Sequence, residues 1–253
     1  MQEHIIAAVR EAGALIRSVR KVKAAEEKGS PRNLVTKYDR AVQALLTERL
    51  SLHFPDAAFL SEEEQTHTFR ARGQLFIMDP IDGTANFVNG LGFSAISVAL
   101  LEDGEPLFGA VYNPYTEELY TAKRGEGAYL NGERIWVANR PLREGLGLFG
   151  TSPYNEELFA MTEELFARML RATADVRRMG SAALDLCMLA AGRADAFFEA
   201  VLRPWDYAAA GLILEEAGGR ITDRSGAPLP YDRPSFVVAG SAVGYEEFFG
   251  LVQ

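Results

Sequence analysis

The 253 residues are 48% apolar and 24% charged, the balance of a folded soluble protein and not of a disordered one. A net charge of −9 argues against a general nucleic-acid-binding surface and leaves room only for a local basic patch. One cysteine, Cys187, allows no internal disulfide, and three scattered histidines (His4, His53, His67) suggest no zinc site.

No apolar run is long enough to span a bilayer, and Glu3, Arg10 and Glu11 interrupt the N-terminal apolar residues, so no signal peptide is expected and the cytoplasm is the default compartment. Ile5, Ile6, Val9, Ala12, Leu15, Ile16 and Val19 recur at helical spacing and predict an amphipathic opening helix with a basic, solvated end at 17–23. A polar loop over 28–33 leads to a second helix, with Asp39 as its N-cap before Ala41, Val42, Leu45 and Leu46. Residues 57–60 read as a short strand running into Glu62, Glu63 and Glu64. Such a run is ordinarily solvated surface, but a strand end can also aim one acid into a neighbouring site.

The chain then reaches Leu75-Phe76-Ile77-Met78-Asp79-Pro80-Ile81-Asp82-Gly83-Thr84. Four apolar residues predict a buried strand, stopped by Asp79-Pro80 because proline has no N–H for the ladder. Asp79 and Asp82, with the Ile81 carbonyl between them, are hard oxygen donors of the kind a divalent cation takes. Gly83 allows a sharp turn close to a ligand, and Thr84 opens a short helix whose free N–H groups favour an anion.

Strands are expected at 94–101, 107–112, 118–122, 128–130 and 134–137, with turns at Asp103-Gly104, 124–127 and Asn131-Gly132, forming a meander. Gly125 and Gly127 do not follow a buried strand into a helix, so no dinucleotide fingerprint is present; nor is there a P-loop or a nucleophile elbow. Near 138–145 the pattern changes to alternating strands and helices, which marks a boundary between an N-terminal domain, 1–140, and a C-terminal domain, 141–253. In the second half Ser181 is a good N-cap, Glu199 ends an apolar strand, and Asp206 stands in an N-cap position before Tyr207-Ala208-Ala209-Ala210. Arg203 fits equally a surface charge, an ion pair or a substrate contact. Cys187 lies in an apolar helical run and reads as core.

Two of these stretches resemble the signatures of the inositol monophosphatase family of Mg²⁺-dependent, lithium-sensitive phosphatases. The first is Asp79-Pro80-Ile81-Asp82-Gly83-Thr84, and the second is residues 202–211 followed by Glu216-Ala217-Gly218-Gly219. The resemblance runs from about residue 33 to 219. It implies an α/β (α+β) fold, a layered αβαβα sandwich like that of inositol monophosphatase and fructose-1,6-bisphosphatase, and a homodimer. It implies metal ligands Glu62, Asp79, Ile81, Asp82 and Asp206 for two Mg²⁺. Here Ser61 replaces the glycine that precedes the metal-binding glutamate in the family. Glu62, Asp79 and Thr84 become the catalytic group. Gly83 and Thr84 amides then hold the phosphate, while Asp82, Gly180, Ser181, Ala182, Glu199 and Asp206 face the substrate. Asp39 keeps two readings, a helix cap or a neighbour of a third, weaker metal. The implied substrate is a small phosphate monoester, inositol monophosphate or a sugar phosphate. Fructose 1,6-bisphosphate, histidinol phosphate and 3′-phosphoadenosine nucleotides are alternatives on the same site. A partner-binding role in transcription or ribosome maturation is the alternative from another class.

Overall fold

The computed structural model describes residues 1–19, 26–27, 34–64, 68–153 and 155–253. The expected 28–33 loop, and 20–23 of the basic stretch, lie outside these residues. The chain runs α1 (Gln2–Arg17), β1 (Glu26–Glu27), β2 (Leu34–Val35), α2 (Lys37–Ser51), β3 (Ala58–Ser61), β4 (Gln74–Asp82) and α3 (Thr84–Asn89). The meander follows as β5 (Ala95–Glu102), β6 (Glu105–Asn113), β7 (Glu118–Lys123), β8 (Gly127–Leu130) and β9 (Glu133–Ile135). Then come β10 (Leu146–Phe149), α4 (Phe159–Ala172), β11 (Asp175–Arg177), α5 (Ala182–Ala190), β12 (Ala196–Leu202), α6 (Pro204–Glu216), β13 (Arg220–Thr222), β14 (Ser235–Gly240) and α7 (Ala242–Val252).

Strands β3 to β9 form one sheet in chain order, parallel only between β3 and β4. A second sheet has the order β11-β10-β12-β14-β13, parallel on both sides of β10. Side-chain alternation sets the layers. On β4, Phe76 and Met78 pack with Ile5, Val9, Val42 and Leu46 of α1 and α2, while Leu75 and Ile77 face the cluster built by α5 and α6. On β12, Phe197 joins that same central cluster, and Ala196 and Phe198 turn to Leu165 and Met169 of α4 and Phe248 of α7. The result is the expected αβαβα sandwich.

The central layer explains the composition of α6, whose residues from Tyr207 to Leu214 are all buried, since a helix between two sheets has no face for water. Its small side chains let it lie close to the first sheet. A Cβ on Gly109 of β6 would meet the Ala209 carbonyl at 2.7 Å, so the strand carries none. The junction between the sheets is fastened by Asp195, fully buried, which accepts from Arg140 Nη2 and the Leu146 N–H, both at 2.8 Å. Among the described residues no helix is long and apolar enough to cross a membrane.

Candidate metal centre

The first correction concerns Pro80. Strand β4 does not stop at Asp79-Pro80 but runs through to Asp82. Asp79 pairs with Ser97 and Asp82 with Ala95, so Pro80 and Ile81 together oppose Ile96 in a bulge. The bulge absorbs the missing N–H and re-aims the strand. The Ile81 N–H turns back onto Asp79 Oδ1 at 3.0 Å, and Asp79 and Asp82 are both buried. At Gly83, φ is 84° and a Cβ would press on the Gly180 carbonyl at 2.9 Å, so conformation and space both require glycine.

Because β3 is parallel to β4, its end lies beside the same bulge. Ser61 pairs with Met78, and the Glu62 N–H reaches the Met78 carbonyl at 3.4 Å. From the central layer comes Asp206, which sits at the third residue of α6 and not at its N-cap. Pro204 is the first helical residue, as its fixed φ and missing N–H favour, and Asp206 Oδ2 accepts from the Arg203 N–H at 2.6 Å. Its other oxygen remains available to a cation. Arg203 is exposed, with its guanidinium 5.9 Å from the Trp205 ring centre, and lines a separate small cavity.

Asp79, Asp82 and Asp206 each offer an oxygen within 4.8 Å of the others, the one such group of three among the described residues. Burial raises Asp79 and Asp206 well above the usual carboxylate range, and the charges of Glu62 and Asp82 push both further. Asp82 is raised only to about 6, because Ser181 Oγ and the Ala183, Ala182 and Gly83 amides oppose its burial. Buried like charges with no cation among them are costly, and an all-oxygen donor set with no thiolate or imidazole fits a hard divalent ion.

Around this group the cleft is lined by Glu62, Ile81, Gly83, Thr84, Gly150, Arg178, Gly180, Ser181, Ala182, Asp185 and Glu199. Every sequence-predicted site residue therefore faces one cleft. A roomier cavity of about 380 Å³ between β6, α6 and 228–231 carries no such carboxylate triad.

Asp39 requires a second correction. Thr36 is the N-cap of α2, and Asp39 closes a capping box from the third helical position, accepting from Thr36 N at 2.7 Å and Thr36 Oγ1 at 2.5 Å. Its other oxygen lies 3.2 Å from Thr84 Oγ1, which also stands 3.0 Å from the Ile81 carbonyl. The two acceptors compete for one hydroxyl proton and fix where that hydroxyl points.

Glu199 is a third correction. It does not end its strand: β12 continues to Leu202, with a register shift after Glu199 that turns the side chain inward, half-buried. Ser152 N and Oγ lie 3.1 and 3.0 Å from Glu199 Oε1, and Ser152 takes a left-handed φ of 38° to reach it. Gly150 makes the room, since a Cβ there would fall 1.8 Å from Glu199 Oε2. Burial raises Glu199 to about 7 against the opposing Ser152 bonds.

Three groups escaped the sequence reading. Asp185 follows Ser181 by four residues, so it shares the helix face that reaches the cleft. It is 1% exposed, its Oδ1 lacks a partner, and burial raises it well above the usual range. Arg178 precedes Gly180 by two. Asn86 is the third residue of α3, its Nδ2 2.7 Å from the Phe93 carbonyl and 2.8 Å from that of Met179, tying the start of α3 to the loop before α5.

Comparison with known proteins bears on the family and the fold. A sequence model of the inositol monophosphatase family matches residues 1–252. The Nus factor SuhB of Salmonella typhimurium is 38% identical over 203 residues, 80% of this chain and 76% of that protein. The extragenic suppressor protein suhB of Bartonella henselae superposes with a TM-score of 0.92 at 32% identity, covering 100% of this chain and 98% of that one. An IMPase from Thermotoga maritima superposes with a TM-score of 0.88 at 35% identity, covering 98% and 94%.

Proposed function

The chain belongs to the inositol monophosphatase family, and from that premise we propose that it is a Mg²⁺-dependent phosphomonoesterase acting on inositol monophosphate or a similar polyol or sugar phosphate. The observation that carries this reading is the triad of Asp79 and Asp82, both buried, and half-buried Asp206, whose oxygens from two layers lie within 4.8 Å of one another. Glu62, Asp79 and the Ile81 carbonyl would hold one ion, and Asp79, Asp82 and Asp206 a second. The Ile81 carbonyl has a second lone pair beside the one facing Thr84, so the two roles are compatible. Asp39 closes the α2 capping box through Thr36 and faces the Thr84 hydroxyl, which supports a positioning role.

When bound, the ions lower the pKa of a coordinated water and neutralise charge on the phosphoryl group. The protein's share is orientation and proton handling. The Thr84 hydroxyl, aligned by Asp39 and Ile81, directs the attacking water, and Glu62 takes its proton. Gly83 and Thr84 amides hold the phosphoryl oxygens in line with the attack. As the new P–O bond forms, the bond to the alcohol breaks and the departing alkoxide takes a proton from water. Gly180 to Ala182 and Glu199 lie on the alcohol's side, where Glu199 is placed to accept hydroxyl hydrogen bonds. No covalent phosphoenzyme is required.

The test is phosphate release with and without Mg²⁺ from inositol 1-phosphate, fructose 1,6-bisphosphate, histidinol phosphate and 3′-phosphoadenosine 5′-phosphate, with Asp82→Asn as blank. Metal-dependent preference for the first supports the full reading, and preference for another moves the substrate but keeps the chemistry. Near-normal turnover by Asp82→Asn would defeat the two-metal assignment. The name Nus factor borne by relatives at 38% identity favours a second reading, a partner-binding role in transcription. A pull-down of transcription proteins that survives Asp82→Asn, with no phosphate released from any substrate, would favour it.

A further inference from the structure

We propose that Asp185 is a specificity residue of this cleft, whose carboxyl accepts a hydrogen bond from one hydroxyl of the substrate's alcohol half, distinct from the hydroxyl that meets Glu199. The proposal rests on the phosphatase reading above and deepens it, because the alcohol must then carry a hydroxyl at a second defined position.

Asp185 is the fourth residue of α5 and only 1% exposed, yet it lines the cleft together with Gly180, Ser181 and Ala182. Its Oδ1 is buried without a hydrogen-bond partner. The influences on this carboxyl are burial, the like charges of Asp82 and Glu199 and the opposite charge of Arg178, with no hydrogen-bond donor among them. Arg178 itself donates elsewhere, from Nη2 to Thr151 Oγ1 at 3.3 Å. Other buried aspartates of the chain are held differently. Asp195 Oδ2 accepts from Arg140 and the Leu146 N–H, Asp39 from Thr36, and Asp82 from Ser181 and Ala183. A buried carboxyl oxygen without a donor costs stability, and in the wall of a cleft the missing donor is one that a ligand can bring.

The placement on α5 fits the alcohol half. Ser181 binds Asp82 at the start of the helix, and Asp185 follows one turn later, about 6 Å along the axis. Glu199 spends one oxygen on Ser152, while the other faces Gly150, a second lining residue. The two acids come from different elements, β12 and α5, so each can meet its own hydroxyl. A hydroxyl is also the donor that suits this wall, because a carboxyl offers it an acceptor oxygen in either protonation state. A further anion would add to the six carboxylates already lining the cleft, and an ammonium would face the Arg178 charge that Asp185 feels.

The experiment measures KM and kcat, with Mg²⁺ and the full chain, for inositol 1-phosphate and for the analogues that each lack one ring hydroxyl. In the unaltered protein at least two analogues should show KM raised by about tenfold, one for each acid, with kcat little changed. Asp185→Ala should raise KM for inositol 1-phosphate by a similar factor and abolish the penalty of one analogue, while the penalty of the other survives. Ratios taken within one variant cancel any change in Mg²⁺ affinity. Asp185→Asn, which keeps an acceptor oxygen, should restore part of the selectivity. The metal-free Tm of Asp185→Ala should hold or rise, because a buried carboxyl without a donor is gone and alanine favours the helix. Equal KM values for all the analogues, or penalties that Asp185→Ala leaves untouched, overturn the proposal, and a lower Tm with untouched penalties makes Asp185 a fold residue. If none of these esters releases phosphate, the phosphatase reading on inositol monophosphate falls instead, and calorimetric Kd values for the same compounds decide on Asp185. A penalty for one analogue that disappears in Asp185→Ala upholds the assignment, and equal Kd values or no binding reject it.

Discussion

Ser181 Oγ lies 2.5 Å from Asp82 Oδ2, a bond between residues 99 apart in the chain that joins the central helix layer to the end of β4. The Ala183 N–H adds a second bond to the same oxygen at 2.8 Å. The N-terminus of α5 thus holds a candidate metal ligand from behind, leaving its other oxygen for the cleft. This is why Asp82, although buried, is raised only to about 6 while Asp79 and Asp206 rise well above the usual range.

Replacing Ser181 with Ala removes both that bond and the cap, since the same hydroxyl stands 3.4 Å from the Leu184 N–H. The loss of the cap costs about 1 kcal/mol. Asp82 should then hold its proton to higher pH, so Mg²⁺ binds more weakly at neutral pH. Urea unfolding without metal and calorimetric Mg²⁺ titration read the two effects separately, and Ser181→Thr should rescue both. An unchanged Mg²⁺ affinity in Ser181→Ala would show that the bond does not support the site.

Asp206→Asn separates capping from ligation. An asparagine carbonyl still accepts the Arg203 N–H that Asp206 Oδ2 now takes at 2.6 Å, but it carries no charge into the triad. Metal-free stability should hold or rise, because one of three clustered carboxylates is gone. The Mg²⁺-dependent gain in Tm should vanish and phosphate release fall by about 100-fold or more. A variant that unfolds without metal would mean that the carboxylate is there for the helix.

Asn86→Ala removes a donor shared by the Phe93 and Met179 carbonyls at a residue only 4% exposed. The expected cost is about 2 kcal/mol in urea unfolding, with an added fall in kcat because the Gly83-Thr84 turn loses its tie to Gly180. A stability loss with no change in kcat would make Asn86 a fold residue alone.

The layers were legible in the sequence because strand alternation and helical spacing report burial directly, as in Leu75 to Met78 and Ile5 to Ile16. The acids of the first motif were legible because Asp79, Ile81 and Asp82 are adjacent in the chain. What was not legible depends on packing between distant segments. Pro80 reads as a strand stop until β5 is seen to accommodate it in a bulge. Asp39 and Asp206 both look like caps, and each lies two or three residues inside its helix because Thr36 and Arg203 precede it. Arg178 and Asp185 carry no local signature, and their place in the cleft follows from where β11 and α5 leave the second half.

The pH dependence of stability tests the charge balance of the whole cleft. Burial raises Glu199 from 4.5 to about 7 and Asp82 from 3.8 to about 6. As pH rises, the unfolded chain releases these protons first, so the folded protein binds more protons across the intervening range and its stability must fall there. The stabilising difference is fully present below 3.8 for Asp82 and 4.5 for Glu199, and it is lost as pH passes about 6 and about 7. Mg²⁺ acts in the opposite sense, because its ligands must be deprotonated and its binding releases protons. Thermal unfolding in EDTA should therefore give a Tm that declines between about pH 4 and about pH 7, while the increment produced by Mg²⁺ grows over the same interval. Glu199→Gln should flatten the upper part of the decline and leave the Mg²⁺ increment in place, since Glu199 is not among the clustered acids Asp79, Asp82 and Asp206. A metal-free Tm that rises through that interval would contradict the burial of these acids. An increment independent of pH would contradict ligation by Asp82.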